Sequence, residues 1–412
     1  MALYKYDKSQ ELFKRATQLI PGGIYGHFTP ALTVPGAFPY YAARGEGPRY
    51  WDVDGNEFID YMCAYGPMVI GHNNPNVQKA VKEQMEFGST FNHPGEVMIK
   101  LAEKLTGLIK IADWAVFAKN GADVCTWATM VAREYTGKPK ILMAKGGYHG
   151  THAWCTPGHG GLIEEDRRNI HMIEYNNIDS VRQMVEKYKG QVAGIILTPY
   201  HHPTFVDSQL PVDGWWKGVR EICDSEGMLL ICDDVRAGFR LSLGGSHEYF
   251  GFEPDIACYC KAIGNGYAIS AAVGKDEFKS AAGKVFLTGS YWAGALEMAA
   301  AMATIKELED TDGVAKMLSF GSKLKEGLES TARSHGLQYK VTGPPSIPFC
   351  RFANENNLFR NQLFCGEATK RGAFFHPTHN WFISAAHTDK EFNDTMEIAD
   401  QAFAIVKKEF GS

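Results

Sequence analysis

The stretch that decides the fold is Pro254-Asp255-Ile256-Ala257-Cys258-Tyr259-Cys260-Lys261-Ala262-Ile263-Gly264-Asn265-Gly266. A short apolar run ends in a lysine, and a turn of small residues follows at once. Upstream, Met228-Leu229-Leu230-Ile231-Cys232 ends as abruptly in Asp233-Asp234. Short continuous apolar runs bounded by turn residues read as strands buried on both faces. One strand then delivers a carboxylate at its C-terminal end, and the other an amine. Open α/β sheets bind their ligands along that edge.

Outward from this pair, candidate strands fall at 114–117, 140–144, 170–173, 194–198, 229–233, 256–260 and 271–273. Helical patterns separate most of them, as at 125–135, 179–188 and 215–226. The alternation predicts an α/β fold, with a mostly parallel seven-stranded sheet covered on both faces. A long alanine-rich helix is expected at 296–308. Beyond about residue 312 the pattern turns α+β, with helices at 316–333 and 389–410 and strands near 338–341, 349–352 and 381–385. At the other end, a helix at 8–20 stops at Pro21-Gly22-Gly23. An irregular stretch, 24–47, follows, and then a hairpin, 49–60, turning at Asp54-Gly55. The expected division is an N-terminal segment, 1–85, contributing to a small domain, a large domain, 86–311, and a C-terminal small domain, 312–412.

Composition excludes several classes of function. The 412 residues are 45% hydrophobic and 22% charged, ordinary for a globular chain, and the net charge of −5 is spread out. No basic stripe invites nucleic acid. No apolar run is long enough to span a bilayer, and the first residues have no signal-peptide core, so a cytoplasmic protein is expected. The nine cysteines form no C-x-x-C pair and read as reduced thiols, with no metal site expected.

The chemistry lies in a few positions. Asp233 alone would read as a helix cap, and Lys261 alone as a surface lysine. As a pair ending two apolar strands they are the groups that pyridoxal 5'-phosphate (PLP) chemistry needs. A lysine can form a Schiff base with the cofactor, and a carboxylate can keep its ring nitrogen protonated. Asn120-Gly121-Ala122-Asp123 lies between a strand and a helix, where free N–H groups can hold a phosphate or an ordinary cap can sit. Tyr148, in Gly146-Gly147-Tyr148-His149-Gly150, can stack on a planar ring. Ser290, in Thr288-Gly289-Ser290-Tyr291, is either a cap or a second phosphate contact.

Taken in order, these segments resemble the class III aminotransferases of PLP fold type I, in the branch of glutamate-1-semialdehyde 2,1-aminomutase and its relatives. The resemblance covers nearly the whole chain. It is carried by Leu19-Ile20-Pro21-Gly22-Gly23, Trp51-Asp52-Val53-Asp54-Gly55-Asn56, Gly66-Pro67-Met68-Val69-Ile70-Gly71-His72, Gly147-Tyr148-His149-Gly150, Asp233-Asp234-Val235 and Ala385-Ala386-His387-Thr388. It implies that Lys261 carries the cofactor and Asp233 partners the ring nitrogen, with Val235 and Tyr148 on opposite ring faces. It also implies that Asn120, Gly121, Ala122 and His149 belong to the cofactor site. Ser290 is implied to reach the phosphate of the neighbouring subunit in a homodimer with shared active sites.

The departures point to the substrate. The branch carries an arginine for the substrate carboxylate after Pro-Gly-Gly, and here Ile24-Tyr25-Gly26-His27-Phe28-Thr29-Pro30 has none. Tyr65 stands where a tryptophan is expected. Ala122 removes a hydroxyl from the phosphate turn. Thr198 replaces a carboxylate near the cofactor, and His201 and His202 follow it, serving either the ring hydroxyl or the loop alone. The expected substrate residues are Tyr25, His27, Tyr65, Trp154 and His202, an aromatic wall suited to an apolar or aromatic amine or ketone. Arg236 and Arg351 are either carboxylate clamps or structural ion pairs. The function expected is a PLP-dependent aminotransferase moving an amino group between an amine or amino acid and a keto acid, ketone or aldehyde. An aminomutase or amino-acid racemase on the same scaffold is the alternative.

Overall fold

The computed structural model describes residues 3–34 and 36–411, so the outermost residues of the expected terminal segments, and Pro35, lie outside it. The chain divides into two compact units. One comprises residues 1–74, 204–208 and 315–412, the other 75–203 and 209–314. Among the described residues no helix is long and apolar enough to cross a membrane.

In the first unit, strands β1 (Ala42–Glu46), β2 (Arg49–Asp52) and β3 (Glu57–Asp60) form an antiparallel meander. The β2–β3 hairpin turns at Asp54-Gly55, as its sequence requires: Gly55 has φ +87°, a conformation that costs glycine little. The stretch expected to be irregular therefore contains β1, whose pairing partner supplies order that its own composition does not announce.

The second unit contains β4 (Trp114–Ala118), β5 (Lys140–Ala144), β6 (Ile170–Ile173), β7 (Val192–Leu197), β8 (Leu229–Asp233), β9 (Ile256–Tyr259) and β10 (Ser270–Gly274). They form one sheet in the order β4-β10-β9-β8-β7-β5-β6. All pairs are parallel except those of β10, which runs antiparallel to both β4 and β9. Every residue of β7, β8, β9 and β10 is buried, which is why these segments read as unbroken apolar runs. The helix Gly121–Thr136 packs Val124, Cys125, Ala128, Val131 and Ala132 into the core beneath Ile141, Ile196, Leu229 and Ile231. It begins four residues before the expected 125, because Asp123 caps it: Asp123 Oδ2 accepts the Asn120 N–H at 2.8 Å.

Later in the chain, β11 (Tyr339–Thr342) and β12 (Phe349–Phe352) pair as a hairpin, and β13 (Ala373–Phe374) adds to β3 in parallel. The strand expected at 381–385 is absent. Its backbone is buried, but its N–H groups are divided between two separate segments. Trp381 and Ile383 donate to Pro348 and Ser346, whereas Phe382 and Ala385 donate to Tyr61 and Val69. Each backbone donor finds a partner, but no single neighbour forms a ladder. The nine cysteines are all free thiols.

Candidate functional site

The parallel register of β8 and β9 sets Asp233 opposite Cys258, three residues before Lys261. β10 sets Ser270 opposite Ala118, so β4 ends at the same edge. The lysine, the aspartate pair and the start of the helix Gly121–Thr136 thus share the C-terminal edge of the sheet, where the sequence pattern put them.

Lys261 leaves β9 through an uncommon backbone conformation. Its φ is +49°, Asn265 has φ +43° and Gly266 has φ +101°. Non-glycine residues in this region are strained and cluster at functional sites. The side chain is half-buried. Desolvation, with the nearby Arg236 guanidinium adding to it, pushes the amine from its usual 10.5 down to about 8. A neutral, nucleophilic amine is therefore accessible near physiological pH.

The adjacent aspartates have different surroundings. Asp233 is 4% exposed; its Oδ2 accepts a hydrogen bond from His149 Nδ1 at 2.6 Å, and its Oδ1 accepts the Val235 N–H at 3.1 Å. Asp234 is fully buried, with Oδ2 accepting the Ser246 N–H at 2.7 Å, and burial pushes its carboxyl up to about 7. Asp233 is thus the one bonded to the loop that carries Tyr148.

That loop lies directly on the helix start. Gly150 has φ +119°, and a Cβ there would collide with Ala122. A Cβ on Gly121 would come within 2.7 Å of Val235 Cγ1. Two glycines therefore let the helix N-terminus, a ready anion site, approach Val235 on one side and the loop on the other. Tyr148 is 39% exposed. Trp154 donates its indole N–H to Thr126 Oγ1 at 2.8 Å, and its ring lies parallel to His149, with centroids 6.1 Å apart. Thr198 donates its hydroxyl to the Tyr200 carbonyl at 2.7 Å, within its own turn. His201 stacks on Tyr175, a loop role, and His202 is buried beside Tyr200. Ser290 is exposed, on the stretch that precedes the helix Ala295–Asp310.

The other expected residues belong to the first unit. Tyr25 is 72% exposed. His27 packs on Phe28 and Tyr65, and Tyr65 donates its hydroxyl to the His27 carbonyl at 2.9 Å. His27 and Tyr65 line a cavity of about 430 Å³ with Phe28, Tyr40, Tyr50 and His376. Burial, then the neighbouring His27, pushes His376 down to about 4, so its imidazole is neutral at physiological pH. Arg351 is an ion-pair residue, with Nε 2.6 Å from Asp207 Oδ1. Arg236, in the second unit, is buried, and its charge reaches Lys261.

Sequence reading missed Thr126 and His152. Thr126 Oγ1 is 2.7 Å from His152 Nδ1, and His152 Nε2 is 3.7 Å from Asp123 Oδ1. The available signal was the i, i+3 spacing of Asp123 and Thr126, which puts both on one helix face.

The family model described as aminotransferase class-III matches residues 34–398. The chain belongs to the class III aminotransferases. It is 39% identical over 405 residues to the aminopentol aminotransferase of Sphingopyxis macrogoltabida, covering 98% of this chain and 96% of that one. It is 37% identical to the 3-aminobutyryl-CoA aminotransferase of Cloacimonas acidaminovorans, covering 98% of each. The solved structure of the FumI protein of a Sphingopyxis species, in its PLP internal aldimine form, superposes with a TM-score of 0.96 at 39% identity. That match covers 98% of this chain and 97% of the other. The protein is accordingly a PLP-dependent aminotransferase of fold type I. The residues at the sheet edge fit the cofactor. A held carboxylate, a helix start suited to an anion and a lysine with a lowered pKa converge there, and His149 Nε2 is buried with no hydrogen-bond partner among the described residues.

Proposed function

We propose that this aminotransferase takes its amino group from an apolar or aromatic amine, or an amine without a neighbouring carboxylate, and passes it to a keto acid. The observation that carries this reading is the absence of any arginine in residues 24–30, beside a cavity whose His27, Phe28, Tyr65 and His376 are aromatic. The names of the two relatives, aminopentol and 3-aminobutyryl-CoA aminotransferase, support it, since neither describes an α-amino acid. Tyr25, His27, Tyr65, Trp154 and His202 are the proposed substrate residues. The proposed cofactor-binding domain is the second unit, which takes in 75–85 beyond the expected 86–311, and the proposed small domain is the first unit, whose N-terminal segment ends at 74 rather than 85.

When bound, PLP supplies an electrophilic carbonyl carbon and an electron-accepting ring. Asp233, fixed by His149 and the Val235 N–H, holds a proton at the ring nitrogen. Val235 and Tyr148 would confine the ring from its two faces. Asn120, Gly121 and Ala122 receive the phosphate at the helix N-terminus. Lys261 would anchor the cofactor, and its Nζ, when free, would be the base that moves the proton at the substrate carbon. The near-neutral pKa of Lys261 suits both directions of that transfer.

The test is a panel of amines against pyruvate and 2-oxoglutarate, with glutamate-1-semialdehyde included. Hydrophobic and aromatic amines should exceed the semialdehyde by roughly tenfold or more in kcat/KM, the cost of lacking a charged carboxylate partner. Efficient conversion of the semialdehyde to 5-aminolevulinate would overturn the substrate reading.

A homodimer with shared sites is part of the proposal. Ser290 is exposed between Phe286 and Tyr291, which are 84% and 69% exposed, and such a surface suits a second subunit. Mixing inactive Lys261→Ala with cofactor-poor Ser290→Ala subunits should recover activity, because one site of each heterodimer carries neither lesion. A fully active monomer by light scattering contradicts it.

A further inference from the structure

Thr126 lies on the second turn of the helix Gly121–Thr136, and the proposed cofactor roles do not use it. Its hydroxyl oxygen is nonetheless the meeting point of two side chains from the loop that carries Tyr148 and His149. Trp154 Nε1 is 2.8 Å away and His152 Nδ1 is 2.7 Å away. An indole N–H only donates, so Thr126 Oγ1 accepts from Trp154. The same oxygen also pairs with His152 Nδ1, and the His152 Nε2 faces Asp123 Oδ1 at 3.7 Å. Asp123 is the carboxylate that caps Asn120 at the helix start. On the other side, the Trp154 ring lies parallel to His149 with a 12° interplanar angle, and His149 bonds Asp233 at 2.6 Å. From the helix N-terminus toward the Asp233 carboxylate run Asp123, His152, Thr126, Trp154, His149 and Asp233, joined by hydrogen bonds at Thr126 and at Asp233 and by looser approaches at Asp123–His152 and Trp154–His149.

Arg167 holds the far side of the loop through the carbonyls of Ala153, Thr156 and Gly158, and Cys155 is buried, but none of these contacts is to the helix. Thr151 and Ala153 are exposed, as are the residues from 157 to 161. Gly150 rests on Ala122, and the next side-chain tether to the helix is Thr126.

We propose that Thr126 is a positioning residue for the cofactor's ring nitrogen: through Trp154 and His152 it clamps the loop 147–155 to the helix, and so sets the bond of His149 to Asp233. This rests on the reading of Asp233 as the ring-nitrogen partner. Loss of the clamp weakens the hold of Asp233 on the proton at the ring nitrogen. The ring then withdraws electrons less strongly, and the nitrogen joined to Lys261 becomes more basic.

The experiment compares Thr126→Val, which keeps the shape and removes the hydroxyl, with Thr126→Ser, which restores it. In Thr126→Val the pH at which the bound cofactor's visible absorbance switches should rise by about one unit. The kcat should fall about tenfold, with KM for the amine unchanged. In the apoprotein, amide exchange across 147–155 should accelerate. Thr126→Ser should return all three toward wild type. Trp154→Phe removes the N–H donor together with part of the ring and should shift all three readouts in the same direction, and the double variant should be no worse than the worse of the two single ones. Should Thr126→Val not fold, Trp154→Phe carries the test. Wild-type absorbance, kcat and exchange in these variants, whatever the melting temperature, overturn the proposal. So does an effect of Trp154→Phe confined to KM, which would make that tryptophan a substrate contact. Failure of the wild type to develop a visible band with added PLP would instead overturn the reading of the site itself.

Discussion

Lys261→Ala should abolish transamination while leaving the fold and a non-covalent cofactor site in place. The loss should be at least about 10⁴-fold, because one side chain supplies both the anchoring amine and the proton-transfer base. Borohydride should fix the cofactor of the wild type to the peptide that contains Lys261, and a label on any other lysine would sink the assignment. The depressed pKa adds a pH dependence whose sign follows from the chemistry. Cofactor capture needs the neutral amine, which is the minor form below about 8 and the major form above it. Capture by the wild-type apoprotein should therefore rise roughly tenfold from pH 7 to pH 9. In Lys261→Ala that pH-dependent covalent phase should vanish, and only phosphate-driven binding should remain.

Asp233→Asn should cost at least about a hundredfold in kcat, corresponding to ~3 kcal/mol or more for a preorganised charge aimed at the reacting group. The amide cannot hold a proton at the ring nitrogen as a carboxylate does, and it loses the charge that His149 faces at 2.6 Å. Asp234→Asn should be far milder. Asp234 is fully buried and bonded to the Ser246 N–H, and its carboxyl, raised to about 7, is partly neutral under ordinary conditions. Stopped-flow absorbance of the amine half-reaction separates the two variants. Equal losses from both would mean that the wrong carboxylate has been assigned.

The contrast between the two aspartates was only half visible in the sequence. Both follow the same apolar strand, and a strand's alternation sends neighbours to opposite sides. Which side carries the chemistry depends on His149, which lies 84 residues earlier in the chain. The same holds for Thr126: a threonine inside a helix is an ordinary residue until the loop at 147–155 is laid across it. The loop itself was legible through the family resemblance that Gly147-Tyr148-His149-Gly150 helps to carry. His152 was not, because its role comes from a helix face that no local pattern identifies.

The sequence by itself determined the strands of the central sheet, the edge at which Lys261 and Asp233 emerge, and the family. These depend on local signals: unbroken apolar runs, abrupt charged ends and glycine turns, each of which restricts the backbone within a few residues. The tertiary structure alone decided that β10 runs antiparallel between β4 and β9, that residues 381–385 divide their donors between two segments rather than joining a sheet, and that His149 meets Asp233. These are choices of partner. A backbone donor or an imidazole requires some acceptor, but its own neighbours in sequence do not say which one, and only the packed chain brings that acceptor within hydrogen-bonding distance.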